Sequence, residues 1–167
     1  MDIYILRHAV AEARTKANVG QDASRVLTGD GARKMRQIAS GILRQGWVFD
    51  AILSSPYTRA RETAMIVAEA LKCEQSVTLS AALAPDAPPS RLWEEINRAP
   101  AGCRSVLLVG HEPDLTQLIS LLLVGKPGVG LQLKKGGMAK LTVGMPLQPG
   151  GATLEWLLTP RQLRDLV

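Results

Sequence analysis

The chain contains two histidines, and each follows a run of mostly apolar residues. Ile3–Leu6 leads through Arg7 into His8, and Val106–Gly110 leads into His111. Histidine is the side chain best suited to proton transfer and nucleophilic chemistry near neutral pH. Ligands of open α/β sheets bind just beyond the carboxyl ends of the strands. The pattern therefore predicts that two strands deliver both histidines to one edge of a sheet.

Two arginines are placed to bind an anion beside these histidines. Arg7 precedes His8, and Arg59 lies in the first turn of a predicted helix. That helix is predicted to begin with Ser55 as its N-cap and Pro56 at its first position. Free backbone N–H groups at a helix start favour an anion, and an arginine fork matches phosphate oxygens. Together these residues predict a cage for a doubly charged tetrahedral anion.

Helical and extended patterns alternate along the chain. Strands are predicted at 2–7, 51–54, around 76–79, 105–109, 138–143 and 153–158, the last two as an antiparallel pair. Helices are predicted at about 30–45, after 55, at about 90–98 and after 113, with loops at 84–89 and 125–137. This alternation favours one α/β domain over residues 1–167, a three-layer sandwich with a central, mostly parallel sheet.

Composition limits the class of protein. A chain of 167 residues predicts a single domain with one sizeable core, and 46% apolar and 21% charged residues are ordinary for a soluble globular protein. No run approaches the roughly 20 apolar residues that span a bilayer, so we expect a cytoplasmic protein without a membrane partner. Cys73 and Cys103 are too few for a disulfide framework or a complete zinc site.

The balance of charge is basic, with a net charge of +5 and a sequence pI near 9.6. Such a surface attracts anions, which include phosphorylated substrates, acidic proteins and nucleic acids. The basic residues are spread along the chain, and no aromatic stacking platform is interleaved with them. We therefore expect no nucleic-acid partner.

Four motifs, in order along the chain, resemble those of the histidine phosphatase (phosphoglycerate mutase-like) superfamily. They are Leu6–Ala9, Leu27–Gly31, Ser54–Thr63 and Gly110–Pro113. The compact length and the stretch Arg25–Thr28 are most similar to the SixA branch, the phosphohistidine phosphatases that act on phosphorelay proteins. Ala9 departs from the usual glycine of the family and adds one methyl group, which loosens the assignment to a branch more than it affects the chemistry.

The resemblance implies a phosphoglycerate mutase-like fold and a mechanism that needs no metal and no cofactor. His8 would attack phosphorus and form a phosphohistidine intermediate, which water then hydrolyses. Arg7, Arg59 and His111 would hold the phosphoryl oxygens. Neighbouring arginines would lower the pKa of His8 and keep it neutral. Arg25 is a further candidate for phosphate binding by the same resemblance.

Three carboxylates are candidates for the general acid that would protonate a leaving group. Asp86 is expected in the loop after the third strand, where larger relatives place their acid. Glu12 closely follows the nucleophile, and Glu112 could instead cap its helix. A phosphohistidine substrate relaxes the need for an acid, because imidazole is a far better leaving group than an alkoxide.

The substrate is predicted from the length between Leu71 and Ser105. Only about 33 residues intervene, too few for a helical lid over a small sugar phosphate. Together with the basic charge, this favours a phosphorylated protein of the histidine-phosphotransfer type, acted on by a monomeric enzyme. A small-molecule phosphomonoesterase of the same superfamily and a non-catalytic phosphate-binding module are the alternatives. A metal-dependent hydrolase is disfavoured, since the chain has no H-E-x-x-H pair.

Overall fold

The computed structural model describes residues 1–13, 15–100 and 102–166. These residues contain six strands and five α-helices. The strands are β1 (Asp2–Arg7), β2 (Ala51–Ser54), β3 (Val77–Leu79), β4 (Ser105–Gly110), β5 (Met138–Val143) and β6 (Ala152–Leu158). The helices are α1 (Gly29–Arg44), α2 (Thr58–Leu71), α3 (Pro89–Asn97), α4 (Asp114–Val124) and α5 (Pro160–Asp165). Short 3₁₀ segments span Lys16–Ser24, Glu74–Ser76 and Ala81–Leu83. Among the described residues, no helix has both the length and the apolar character needed to cross a bilayer.

The strands form one sheet in the order β3-β2-β4-β1-β5-β6. The first four are parallel to one another, while β5 is antiparallel to both β1 and β6. The central strands β1 and β4 are almost continuously apolar because helices cover both faces of the sheet. The predicted α/β class, the mostly parallel sheet and the antiparallel final pair are confirmed.

Alternate residues of β1 divide the core between the two faces of the sheet. Tyr4 and Leu6 pack in one cluster with buried residues of α1, α2 and α5. Ile3 and Ile5 pack in the other cluster with buried residues of α3 and α4. This is the period-two alternation of a strand, and it produces the three layers that the sequence predicts.

The chain that follows β1 is fixed against the start of α1. The amide of Thr28 donates to the carbonyl of Val10, and the Thr28 hydroxyl accepts from the Gly31 amide as the N-cap of α1. A Cβ at Gly31 would lie 2.1 Å from the Val10 carbonyl oxygen, so only glycine allows this approach. The loop between β1 and α1 is thereby held beside His8, which stands directly after β1.

Helix α2 begins two residues later than the sequence predicts. The prediction of Ser55 as N-cap and Pro56 as the first helical residue is wrong, because the N-cap is Tyr57 and the helix starts at Thr58. The amide of Ser55 still donates to the carbonyl of Val109 in β4, at 2.9 Å. That bond holds Ser55 against β4, and its hydroxyl contacts both His111 and the Tyr57 amide.

Candidate active site

Three neighbouring parallel strands end at the same edge of the sheet. In the register of the sheet, Arg7 of β1 lies opposite Gly110 of β4, and Ser54 of β2 lies opposite Val109 of β4. The residues that follow, among them His8 and His111, therefore emerge side by side. The two imidazole rings have their centroids 5.1 Å apart. The prediction that both histidines share one edge is confirmed.

An open cleft of about 380 Å³ lies over this edge. Its walls come from the ends of β1 and β4, the 3₁₀ segment before α1, the start of α2 and the loop that precedes α3. The lining residues are Arg7, His8, Asp22, Arg25, Arg59, Pro85, Asp86, His111, Glu112, Pro113, Asp114 and Lys135. In the parts of the chain that the structure describes, no three His, Cys, Asp or Glu side chains are grouped as metal ligands would be.

His8 is held as a neutral imidazole with one nitrogen facing the cleft. Its Nδ1 lies 2.7 Å from the carbonyl oxygen of Ala9, and because a carbonyl only accepts, Nδ1 carries the proton. The lone pair is therefore on Nε2, which accepts from Nε of Arg59 at 3.3 Å. Burial lowers the pKa of His8 to about 4, with smaller contributions from Arg59 and Arg7. The arginines thus act as predicted, but burial has the larger effect.

Arg59 is the second residue of α2 and is almost completely buried. One hydroxyl, that of Thr63, joins this turn to the end of β1: it accepts from the Ala9 amide at 3.0 Å and donates to the Arg59 carbonyl at 2.7 Å. The neighbouring Glu62 carboxylate accepts from the Leu27 amide at 2.7 Å. These contacts fix the start of α2 relative to the segment that carries His8.

His111 is 3% exposed and hydrogen-bonds through Nε2 to the Ser55 hydroxyl at 2.8 Å. The Ser55 oxygen also accepts from the Tyr57 amide, which leaves its own proton free to be donated to His111. With that arrangement Nδ1 of His111 carries a proton, and this buried nitrogen has no partner. Burial, followed by Arg59 and His8, lowers the pKa of His111 to about 3.

Arg7 lies at the base of the cleft with part of its guanidinium uncommitted. Its Nη1 donates to the Leu133 carbonyl at 2.9 Å, while Nε is buried without a partner. Burial lowers the pKa of Arg7, and the nearby Glu112 carboxylate opposes that shift. A buried N–H without a partner is costly, and an anion in the cleft would satisfy it.

Arg25 also reaches the cleft, where Asp22 holds it. The Oδ1 atom of Asp22 accepts from Nε of Arg25 at 2.9 Å and lies 2.8 Å from its Nη2, while Nη1 donates to the Glu12 carbonyl at 2.6 Å. Asp22 binds Arg59 as well, through its carbonyl oxygen at 2.7 Å and its Oδ2 at 3.1 Å. One acidic residue thus contacts two of the candidate phosphate-binding arginines.

The three candidate acids occupy different positions. Glu112 is half-buried on the cleft wall, where the Thr116 hydroxyl donates to Oε2 and Oε1 is buried without a partner. Burial raises the pKa of Glu112, against the opposing effects of Thr116 and Arg7. Asp86 is exposed at the rim, as expected for the loop after β3.

The position of Glu12 is less favourable for a general acid, and the predicted capping role of Glu112 is not observed. The side chain of Glu12 is exposed and lies outside the cleft lining. The suggestion that Glu112 caps α4 is wrong, because the N-cap is Pro113 and no side chain bonds there. Of the three carboxylates, Glu112 alone combines a half-buried position on the cleft with a buried oxygen that has no partner.

Several site residues had no catalytic or binding role assigned from the sequence. Ser55 and Thr63 lie within the motif Ser54–Thr63, but their contacts join distant segments and leave no periodic signal. Asp22 stands in a stretch without an apolar pattern, and Lys135 belongs to a loop. The spacing of three between Asp22 and Arg25 is the one local signal of that ion pair.

The chain is similar to known proteins in both sequence and fold. Residues 3–84 match the model of the histidine phosphatase superfamily (branch 1). An uncharacterized protein of Picosynechococcus sp. is 34% identical over 145 residues, which cover 86% of each chain. Phosphohistidine phosphatase SixA of Escherichia coli K12 is 24% identical over 165 residues, or 98% of this chain and 97% of SixA. A structure of the protein histidine phosphatase SixA complexed with tungstate superposes with a TM-score of 0.85 at 24% identity, over 98% of this chain and 99% of that one.

Proposed function

Because this chain belongs to the histidine phosphatase superfamily, we propose that it is a phosphatase that transfers a phosphoryl group to His8 and then to water. The observation that carries the proposal is the state of His8. Its proton is fixed on Nδ1 by the Ala9 carbonyl, so the lone pair is on Nε2, where it accepts only a long hydrogen bond from Arg59 at 3.3 Å in a cleft lined by cationic side chains.

In the first step, the Nε2 lone pair of His8 forms a bond to phosphorus as the bond to the leaving group breaks. The leaving group departs with the bonding electron pair and takes up a proton. In the second step a water molecule attacks phosphorus, the P–N bond breaks, and inorganic phosphate leaves with the water oxygen. A phosphoryl group that approaches Nε2 replaces Arg59 Nε as the partner of that lone pair.

The hydrogen-bond donors around His8 would hold the three oxygens that do not react. Arg7 offers its uncommitted Nε, Arg59 its guanidinium edge, and His111 the proton on Nδ1. Arg25 is positioned in the cleft wall for a further contact. Such donors stabilise the charge of the transition state, and the loss of one commonly lowers the rate by roughly 10²–10³.

Among the three candidate acids we assign the proton transfer to Glu112. It is the candidate whose pKa is raised by burial and whose Oε1 has no partner on the cleft wall. A carboxyl group that keeps its proton nearer to neutral pH can donate it to a departing oxygen or nitrogen.

For the substrate, we propose phosphohistidine carried by a protein of the histidine-phosphotransfer type. The cleft is open, and the chain between α2 and β4 forms only β3, short 3₁₀ segments and α3, so a phosphate displayed on another protein can enter. The name of the Escherichia coli relative, a phosphohistidine phosphatase, supports the same substrate class. Independence from metal, a monomeric state and a cytoplasmic location remain predictions.

The test is a comparison of kcat/KM for a phosphorylated histidine-phosphotransfer domain with kcat/KM for sugar phosphates, each with and without EDTA. The proposal predicts faster turnover of the phosphoprotein and no loss of rate in EDTA. Much faster hydrolysis of the sugar phosphates would instead support the small-molecule phosphomonoesterase. Binding of phosphate without turnover of any of these substrates would support the non-catalytic module.

A further inference from the structure

Asp22 places a negative charge among the cationic groups of the cleft. Its carboxylate bonds Arg25 through Oδ1 and Arg59 through Oδ2, and its main-chain oxygen takes a second donor of Arg59. Burial alone would raise the pKa of Asp22, but Arg59 and Arg25 outweigh it and hold the pKa below its usual value. The residue is therefore an anion at neutral pH.

The donors that Asp22 occupies belong to the side chains that a phosphoryl group would use. Arg59 has one donor on His8 and two on Asp22, so all three of its nitrogens are engaged within the protein. Arg25 is engaged in the same way, by Asp22 and by the Glu12 carbonyl. An oxyanion that binds these guanidinium groups must share them with a carboxylate of like charge a few ångströms away, and like charges at that separation repel.

We propose, given a phosphoryl group bound between these arginines as in the proposed function, that Asp22 is an internal competitor that weakens the binding of phosphate dianions. Arg7, Arg25, Arg59 and Lys135 would otherwise surround inorganic phosphate, the product, with four cationic side chains. The Asp22 carboxylate offsets part of that attraction. It thereby favours release of the product while holding Arg59 beside His8.

The variant that tests this role is Asp22→Asn, which removes the charge and keeps the size of the side chain. Affinity for inorganic phosphate is measured by titration calorimetry at fixed pH and ionic strength. The proposal predicts at least about tenfold tighter binding in D22N, together with lower values of both KM and kcat, because product leaves more slowly. The inhibition constant of phosphate should fall by a similar factor.

Asp30→Asn is the matched control. Asp30 is an exposed carboxylate in the first turn of α1 that pairs with Arg33 and Lys34, so D30N changes the net charge equally but outside the cleft. Its phosphate affinity should equal that of the parent protein. A thermal unfolding midpoint for each variant shows that the fold is intact, and Asp22→Ser replaces D22N if the asparagine variant does not fold.

The outcomes separate this inference from the proposed function, because phosphate binding is measured without turnover. Unchanged or weaker phosphate binding in D22N overturns the inference and makes Asp22 a positioning residue that only orients the arginines. Tighter binding in a protein that hydrolyses none of the substrates supports the inference and contradicts the proposed function.

Discussion

At the scale of single residues, the chemistry of the site depends on which nitrogen of each histidine carries a proton. The Ala9 carbonyl fixes this for His8, and Nε2 of His111 is hydrogen-bonded to the Ser55 hydroxyl. Residue type and position after a strand or at a helix start predicted both histidines together with Arg7 and Arg59. The proton positions could not be predicted, because they depend on partners that only the folded chain brings within hydrogen-bond distance.

Glu112→Gln tests the proton donor at this scale. An alkyl phosphate needs its leaving oxygen protonated, so its kcat should fall about 10²-fold or more, the usual contribution of a general acid. Hydrolysis of p-nitrophenyl phosphate and of phosphohistidine should change much less, since both leaving groups depart readily. Steady-state kinetics with the three substrates measures the difference.

Glu12→Gln is the control for that series, because the Glu12 side chain is exposed and outside the cleft lining. It should leave all three rates unchanged. Equal losses for all three substrates in E112Q would show that Glu112 supports the structure of the site and donates no proton.

At the scale of elements, the site depends on how strand ends and helix starts are joined. The bounds of β2 agree with the apolar pattern, since Ala51–Ser54 is both the predicted and the observed strand. The start of α2 was predicted too early, because Ser55 keeps a bond to β4 that no local pattern reveals. The short helix α5 was not predicted, although its capping box between Thr159 and Gln162 was a readable signal.

Thr63→Val tests the junction between β1 and α2. The variant keeps the shape of the side chain but leaves the buried Ala9 amide without its acceptor, so the free energy of unfolding should fall by about 1–3 kcal/mol. Activity should fall too, because the Thr63 hydroxyl links the segment after His8 to the turn that carries Arg59. Urea unfolding and kcat are measured on the same preparation.

Thr63→Ser keeps the hydroxyl and should retain most of the stability and the rate. If T63V retains the stability and the rate of the parent protein, the hydrogen-bonded junction through the Thr63 hydroxyl does not matter.

At the scale of the whole molecule, the fold buries two histidines in neutral form, and this links stability to pH. The folded protein has a pKa of about 4 for His8 and about 3 for His111, against 6.5 for an ordinary histidine. Between pH 6.5 and 4 the unfolded chain therefore binds more protons than the folded protein. The stability associated with these residues is present above pH 6.5 and is lost as the pH falls toward 4.

We predict that the free energy of unfolding decreases by on the order of 2–3 kcal/mol per buried histidine between pH 7 and pH 4.5. Denaturant unfolding at a series of pH values measures it. In His111→Gln, one of the two groups no longer takes up a proton, so the decrease should be smaller. An identical pH dependence in H111Q and the parent protein would contradict the burial of His111 as a neutral group.

The most direct measurement is to trap the phosphoryl group on the enzyme. Brief incubation with a labelled phosphoramidate, followed by denaturation, should give a phosphoenzyme that is labile to acid and stable to base, with the label on His8. In His8→Ala the label and the phosphatase activity should both disappear. A label that persists in H8A, or full activity of that variant, would contradict the account of His8 as the nucleophile.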